Sequence, residues 1–291
     1  LADSAPNGWR SGYIIAMLVL GFFLIIAFVL IEKYVARKPF LPFEVLLSRT
    51  VLGTCLLSAS FQVGYYCWNS YFSSFLQVVH GLTIAQAGYV GSTFDVIGGL
   101  WVFVVGFAIR KTKHFKWIML IAVPLDILGI GLMIYFRRPN MSIGYIVMTQ
   151  VFISFSGSSI ILTVQVAVMS VVNHEQIAAA LALLGMFSYI GGAIGNTISG
   201  AIWTNTFPQS LANHLPESAQ GNLTDIYGSL EVQLSYPKGD PIRDAIILSY
   251  GEAQRYMCVA GTATVALSLI WVLMIKNIDV SKNKQVKGMV F

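Results

Sequence analysis

Between Ser58 and Gln77 the chain is apolar over a membrane-spanning length, yet Ser58, Gln62, Tyr66, Asn69, Ser73 and Gln77 recur along it at steps of four, four, three, four and four. On an α-helix these steps make one stripe, which at about 1.5 Å rise per residue runs about 29 Å. A stripe of that length cannot face lipid, because leaving amides and hydroxyls unpaired in hydrocarbon costs several kcal/mol each. It must meet polar protein partners or line a wet passage. A second stripe, Gln150, Ser154, Gly157, Ser158, Ile161 and Gln165, shares a helix face by the same geometry. Two such stripes could face each other across a cavity, or each could supply hydrogen bonds between packed helices.

Seven apolar segments stand out, at about 12–31, 51–79, 86–109, 116–136, 143–171, 177–206 and 257–275. Each is long enough to cross a bilayer as a helix, and none shows the short alternating strands of a membrane barrel. The fold class expected is all-α integral membrane. Gly88, Gly91, Ser92, Gly98 and Gly99 in the third segment, and Gly191, Gly195 and Ser199 in the sixth, have the small-xxx-small spacing that lets helices approach closely. The same smoothness would let helices rock against one another.

Composition agrees: 56% of the 291 residues are hydrophobic and 11% charged, where soluble domains carry about 25% charged residues. The net charge of +5 would suit a nucleic-acid binder, but its distribution does not. Lys33, Arg37, Lys38 and Arg49, then Arg110, Lys111, Lys113 and Lys116, then Lys276, Lys282, Lys284 and Lys287 all fall in segments on one side of the membrane. By the positive-inside rule that side and the C-terminus are cytoplasmic. Cys55, Cys67 and Cys258 lie within apolar segments, so no disulfide framework is indicated. The chain begins at Leu1 with no basic leader before the first span, and is read as a piece of a longer one.

The long connection 207–254 then falls outside the cell and is the expected soluble recognition surface, with Tyr227, Tyr236 and Tyr250 as its candidates. It holds the glycosylation sequon Asn222-Leu223-Thr224. Asp240-Pro241 reads as a helix N-cap followed by proline at the first helical position.

Asp95 and Asp126 are the carboxylates well inside apolar segments. An intramembrane carboxylate is a functional candidate by default, and Asp95 is the candidate for proton coupling. A structural hydrogen bond is the competing role for each. Asp126 follows Pro124 by two residues and could satisfy groups freed by a proline kink. His80, His114, His174 and His214 are scattered without metal-ligand spacing, and no nucleophile elbow or phosphate loop is present, so neither enzyme nor metal site nor cofactor is expected. Seven spans with an outside start also describe a heptahelical receptor. The third segment ends in Phe107-Ala-Ile-Arg110-Lys111 without an Asp-Arg-Tyr-like element, and the last lacks an Asn-Pro-x-x-Tyr-like one, which argues against that class.

Several motifs are more specific than hydropathy: Gly8-Trp-Arg-Ser11, Lys38-Pro-Phe-Leu-Pro-Phe43, Arg49-Thr-Val-Leu-Gly53 and above all Tyr71-Phe-Ser-Ser-Phe-Leu-Gln-Val-Val79. With Ala87-Gly-Tyr89, Gly106-Phe-Ala-Ile-Arg110, Phe115-Lys-Trp117 and Tyr250-Gly-Glu-Ala-Gln-Arg-Tyr256, they make the chain resemble the fungal siderophore-iron transporters of the major facilitator superfamily over nearly its whole length. The superfamily's Gly-x-x-x-Asp-Arg-x-Gly-Arg loop is degenerate here, retained as Gly106, Arg110 and Lys111.

The resemblance implies a fourteen-span protein of which this chain is the C-terminal half. Residues 1–50 would be one extra transmembrane helix and a cytoplasmic linker, 51–275 the C-terminal six-helix bundle with the extracellular loop 207–254, and 276–291 a cytoplasmic tail. It further implies proton-coupled import of ferric siderophore chelates by alternating access, at the plasma membrane or an endosomal vesicle. The partners are the ferric siderophore, protons, lipid and the missing N-terminal half. Cavity contacts would come from Gln62, Tyr65, Tyr66, Asn69, Ser73, Gln77, Gln150, Ser154 and Gln165, with no protein ligand on iron. A fourteen-span drug or toxin exporter of the same fold is the alternative.

Overall fold

The structure, a computed structural model, describes residues 11–34 and 43–281. Arg10, Arg37, Lys38, Lys282, Lys284 and Lys287, with the Gly8–Arg10 and Lys38–Pro42 parts of the motifs above, lie outside the described residues. Every regular element among the described residues is helical. Two compact units divide at Leu47 and Ser48. The first holds α1 (Gly12–Tyr34) and α2 (Phe43–Leu46). α1 is apolar on all sides, with Leu18, Phe22 and Phe23 exposed, as suits a helix surrounded by lipid or by further protein.

The second unit is a helical bundle: α3 (Arg49–Asn69), α4 (Phe72–His80), α5 (Ile84–Gly91), α6 (Thr93–Thr112), α7 (Lys116–Phe136), α8 (Ile143–Met169), α9 (Ile177–His214), α10 (Leu223–Gly228), α11 (Leu230–Ser235), α12 (Pro241–Ala266) and α13 (Ser268–Met274). Local chemistry sets the boundaries. Ser48 Oγ accepts from Val51 N at the start of α3, Thr83 and Gln86 form a capping box on α5, and Ser142 Oγ accepts from Gly144 N on α8. Asp240 caps α12 by accepting from Ile242 N at 2.8 Å, with Pro241 at N1.

Among the described residues, six helical stretches are long and apolar enough to span a membrane: Gly12–Ile31, Ile84–Thr112, Lys116–Phe136, Ile143–Met169, His174–His214 and Pro241–Met274. The stretch 51–79, expected as a seventh, is not among them, because its polar stripe dilutes its apolarity and its helix is broken. α3 ends at Asn69, where the Ser70 hydroxyl donates to Tyr66 O at 2.6 Å, and α4 restarts at Phe72. The single stripe from Ser58 to Gln77 is therefore split over two helices, Ser58 to Asn69 on α3 and Ser73 and Gln77 on α4.

α3 is nonetheless the helix about which this unit is packed, touching α8, α9, α12 and α13. Backbone approach to α9 is close: a Cβ on Gly195 would lie 2.6 Å from Val63 O, and one on Gly191 would collide with Ala59 O. The predicted small-residue seam of α9 is thus a packing seam. Of the third segment's glycines Gly98 of α6 plays that part, under Ser158 of α8, while nothing among the described residues comes within 4 Å of a Cβ on Gly88 or Gly91 of α5 or on Gly99 of α6. α7 lies against α8 and α12. The connection expected over 207–254 is shorter than that, since α9 continues to His214 and α12 starts at Pro241.

Candidate functional site

The middle of α3 presents a half-exposed polar and aromatic surface between α6 and α9. Gln62, Tyr65, Tyr66 and Asn69 are each partly accessible. The Asn69 amide donates to the Tyr65 hydroxyl at 3.1 Å, one turn back on the same helix. The Tyr65 ring packs edge-on against Tyr66 and Trp68, and against Phe94 of α6 at 5.3 Å. Tyr66 instead lies over α9, where Gly192 leaves room for its ring. Beyond it Ser70 meets Asn196 Oδ1 at 3.0 Å and accepts from Ser199, while Ser58 pairs with Ser188 at 2.7 Å.

Ser188, Gly192, Asn196 and Ser199 therefore form on α9 a stripe facing that of α3, and the sequence reading missed it. Steps of four, four and three would have revealed it. Tyr189, 83% exposed, stands on the same side as Asn196 two turns away, about 10 Å along the axis. Asp95 is exposed in the first turn of α6, within electrostatic range of the Tyr65 phenol. Amide, hydroxyl, carboxylate and aromatic faces are thus gathered on one surface of three helices. That combination can hydrogen-bond amides and carbonyls while covering methylenes.

Of the remaining expected contacts, Ser73 is exposed on α4, and Gln77 is buried with its amide donating to Ser73 O and Oγ at 3.3 Å. The second stripe does not face the first across an opening. α8 packs its polar face onto α6, with Phe94 against Gly157, Gly98 against Ser158, and Trp101 Nε1 donating to Ser159 Oγ at 3.0 Å. Gln150 and Ser154 are consequently fully buried, and Gln165 is exposed near the far end of the helix. Ser154 donates to Gln150 O at 2.6 Å, satisfying itself within its own helix. The Gln150 side chain has neither its oxygen nor its nitrogen paired.

Asp126 is fully buried between α7 and α8, accepting from Ser156 Oγ at 2.8 Å with its second oxygen unpaired. The two carboxylates are thereby separated in role: Asp95 borders the open surface, Asp126 joins two helices.

At the loop end, Tyr250 departs from its expected place on a recognition surface. It is 2% exposed, its hydroxyl donates to Gln233 Oε1 at 2.8 Å, and its ring packs edge-on against Trp203 and Phe207. The cause is the extension of α9 and α12 beyond the expected spans, which puts Tyr250 inside the helical packing. Tyr227 and Tyr236 are half-exposed. Tyr236 and the exposed Asn222 line a surface pocket of about 420 Å³ with Thr224 and Asp225.

Two buried arginines, Arg137 and Arg243, tie this end together. Arg243 donates to Val78 O at 2.9 Å and to Gln233 O. Arg137 donates to Trp68 O at 2.6 Å and Gln254 Oε1 at 2.8 Å and lies over the Phe72 ring at 4.2 Å. Each cation meets carbonyls at helix C-termini, where the aligned peptide dipoles present negative potential.

The Major Facilitator Superfamily profile matches residues 4–196. The chain belongs to this superfamily. Within it, the chain is 58% identical over all 291 residues to the siderophore iron transporter mirB of Emericella nidulans, covering 48% of that protein. It is 50% identical over the same length to the MFS siderochrome iron transporter D of Aspergillus fumigatus, again 48% of the relative. Siderophore iron transporter 1 of Schizosaccharomyces pombe is 38% identical over 277 residues. The chain spans about half the length of these curated relatives. Its fold is similar to a bacterial homologue of the human lysosomal transporter Spinster in an inward-facing, occupied conformation, with a TM-score of 0.61, 16% identity, and coverage of 94% of this chain and 59% of that one. The unoccupied inward-facing form gives a TM-score of 0.59. These superfamily relatives are transporters by name.

Proposed function

We propose that the chain is the C-terminal half of a transporter, not an enzyme, that imports ferric siderophore chelates by alternating access coupled to protons. The single observation that carries this reading is the Gln62, Tyr65, Tyr66 and Asn69 surface, bordered by Asp95 and Asn196, which hydrocarbon cannot cover. A hydroxamate chelate hides its iron and presents amides, carbonyls and methylenes, which this mixture of amide and aromatic side chains suits. The names of the relatives support the same substrate class. An N-terminal half would supply the facing wall. Gln150 and Ser154 join the substrate path only in a conformation that uncovers α8, and Gln165 is exposed at the far end of that helix, so α3 and α9 carry the contacts here. Asp95 is the proton-coupling candidate, and a proton moving down 100 mV supplies about 2.3 kcal/mol toward uptake. The basic end and the C-terminus are cytoplasmic in this reading, and Asn222 is a glycan acceptor outside.

The test is uptake of labelled ferric siderophore by the full-length protein in cells depleted of other iron transporters. Accumulation that collapses with the proton gradient is expected. No accumulation together with altered drug resistance would replace import by export.

A further inference from the structure

At the end of the bundle opposite the 215–240 segment, a surface pocket of about 480 Å³ is lined by Thr112, His114, Trp117 and Asn277. It belongs to none of the surfaces described above. Its floor is held by side-chain bonds: Trp117 Nε1 donates to Thr112 Oγ1 at 3.1 Å, and His114 Nδ1 donates to Thr112 O at 2.9 Å. The strand of chain after α13 closes one side, where Val280 N donates to Lys113 O at 3.0 Å.

Every lining residue has a lysine as its neighbour in the chain. Lys111 and Lys113 flank Thr112, Lys113 precedes His114, Lys116 precedes Trp117, and Lys276 precedes Asn277. Lys113 holds its place with a left-handed backbone, φ 59°, that closes α6. Lys116 is also the first residue of α7, so the positive end of that helix adds to the same field. Asp279 is the acid that follows in the chain, and its Oδ1 accepts from Ser281 N and Oγ at 2.9 and 2.6 Å. The pocket is thus walled mostly by carbon, with polar tips from its lining residues and an indole that is 41% exposed, and the four lysines stand beside its rim in the chain, Lys116 Nζ donating to Leu273 O at 3.4 Å.

Directly along the helices from this rim the surface turns apolar. Phe107, Ile121 and Leu273, each within about two turns of a lining residue, are 67%, 60% and 63% exposed. A tryptophan between a band of lysines and an apolar belt has the position that such rings take at the membrane interface. A soluble anion would use the cationic rim and ignore the belt. An amphiphile with a phosphate head uses both.

We propose that this pocket holds the phosphate of an anionic phospholipid, its acyl chains lying over Phe107, Ile121 and Leu273. Lysines close to a bilayer surface attract acidic lipid at about 1 kcal/mol each, so four of them next in the chain to the residues of one pocket favour an anionic head over a zwitterionic one.

The experiment places the full-length protein in phosphatidylcholine nanodiscs doped with a photo-crosslinkable phosphatidylserine or, separately, its phosphatidylcholine counterpart, and maps labelled peptides by mass spectrometry. Labelling of the 103–121 region by the serine lipid at five times or more the level of the choline lipid is expected. The preference should fall below twofold in the Lys111→Gln, Lys113→Gln, Lys116→Gln, Lys276→Gln variant, and the single, exposed Lys113→Gln change should lower it without altering the melting temperature in pure phosphatidylcholine. Equal labelling by the two lipids, or a preference that survives the fourfold change, would overturn the proposal. So would loss of labelling with millimolar glycerophosphoserine, which would make the pocket a site for free anions.

Discussion

Arg137 Nη1 donates to the main-chain oxygen of Trp68 at 2.6 Å, joining the end of α7 to the end of α3 just before the break at Ser70. The guanidinium is buried over Trp68 and Phe72, and its second partner, Gln254, comes from α12. Three helices are thus pinned by one cation. Desolvation of the charge opposes this arrangement, while hydrogen bonds to a charged donor contribute about 1.5–3 kcal/mol and ring contact about 0.5–2 kcal/mol. Removing the cation also leaves Trp68 O and Gln254 Oε1 buried without it, so we expect Arg137→Met to destabilise the full-length protein by about 2 kcal/mol. Lysine should not rescue it, because a compact, strongly hydrated ammonium loses the planar stacking over Trp68 and Phe72. Melting temperatures in detergent check this: an Arg137→Lys protein as stable as the wild type would remove the geometry from the explanation.

The glycines divide into two groups with opposite expectations. Gly191 and Gly195 lie against the α3 backbone, whereas a Cβ on Gly88, Gly91 or Gly99 meets nothing within 4 Å among the described residues. Gly191→Ala or Gly195→Ala must push two backbones apart, an overpacking cost of about 1–3 kcal/mol. Gly99→Ala should leave stability unchanged within about 0.5 kcal/mol. Equal losses for Gly195→Ala and Gly99→Ala in thermal unfolding would mean that α6 is covered as tightly as α9.

Asn69→Ala and Tyr66→Ala test the open surface itself. Asn69 donates to Tyr65, and Tyr66 lies in the space left by Gly192, so both are partly exposed without being structural keystones. Loss of one hydrogen bond to substrate, about 1 kcal/mol, should raise the KM for ferric siderophore about fivefold for Asn69→Ala at unchanged surface abundance. Tyr66→Ala should do more, because ring area is lost as well. Unchanged kinetics in both would assign this surface to packing.

Much of this arrangement is legible in the residues. The four-and-three spacing of Ser58, Gln62, Tyr66 and Asn69 already selects one face of one helix, and the cost of leaving its polar groups unpaired in hydrocarbon keeps lipid off it. The break after Asn69 is not legible, since Ser70 and Tyr71 are ordinary helix residues and the capping hydroxyl declares itself only through Tyr66 O and Asn196. The α8 stripe shows the limit of periodicity. Ser154, Ser159 and Thr163 each donate to the carbonyl four residues back, which satisfies a hydroxyl against a packed neighbour as well as beside water. Spacing alone could not distinguish a cavity wall from a seam with α6. The burial of Arg137 and Arg243 is likewise not legible in the sequence, because each has a main-chain acceptor brought in from 69 and 165 residues away, respectively.

Tyr250 and Gln233 join α12 to the short helices of the loop. Tyr250→Phe keeps the ring edge-on against Trp203 and Phe207 but leaves Gln233 Oε1 buried without its donor, a loss of about 1–3 kcal/mol. The Gln233 amide still holds Ile226 O at 2.8 Å, so the loop should loosen rather than detach. Limited proteolysis within 215–240 should accelerate several-fold in Tyr250→Phe, with ferric siderophore KM unchanged. A changed KM with unchanged proteolysis would return Tyr250 to the role of a recognition residue.

His80, which ends α4 just past the apolar stretch 51–79, couples the same end of the bundle to pH. Its Nε2 is buried without a partner, and Lys238 Nζ donates to His80 O at 2.7 Å with the lysine stem lying over Gly81. Burial, and then the neighbouring ammonium, lower the imidazole below its ordinary value of 6.5. The sign follows from linkage: above 6.5 both folded and unfolded chains hold the ring neutral, while below it the unfolded chain takes up a proton that the folded one resists. Stability of this corner should therefore decline as pH falls through about 6.5, and continue to decline until the lowered folded value is reached. Hydrogen exchange over 76–84 and 236–240 should speed up between pH 7.5 and 5.5 after correction for intrinsic rates. His80→Gln should remove the acid-dependent part. Exchange that is independent of pH in the wild type, or equally pH-dependent in His80→Gln, would assign the sensitivity elsewhere.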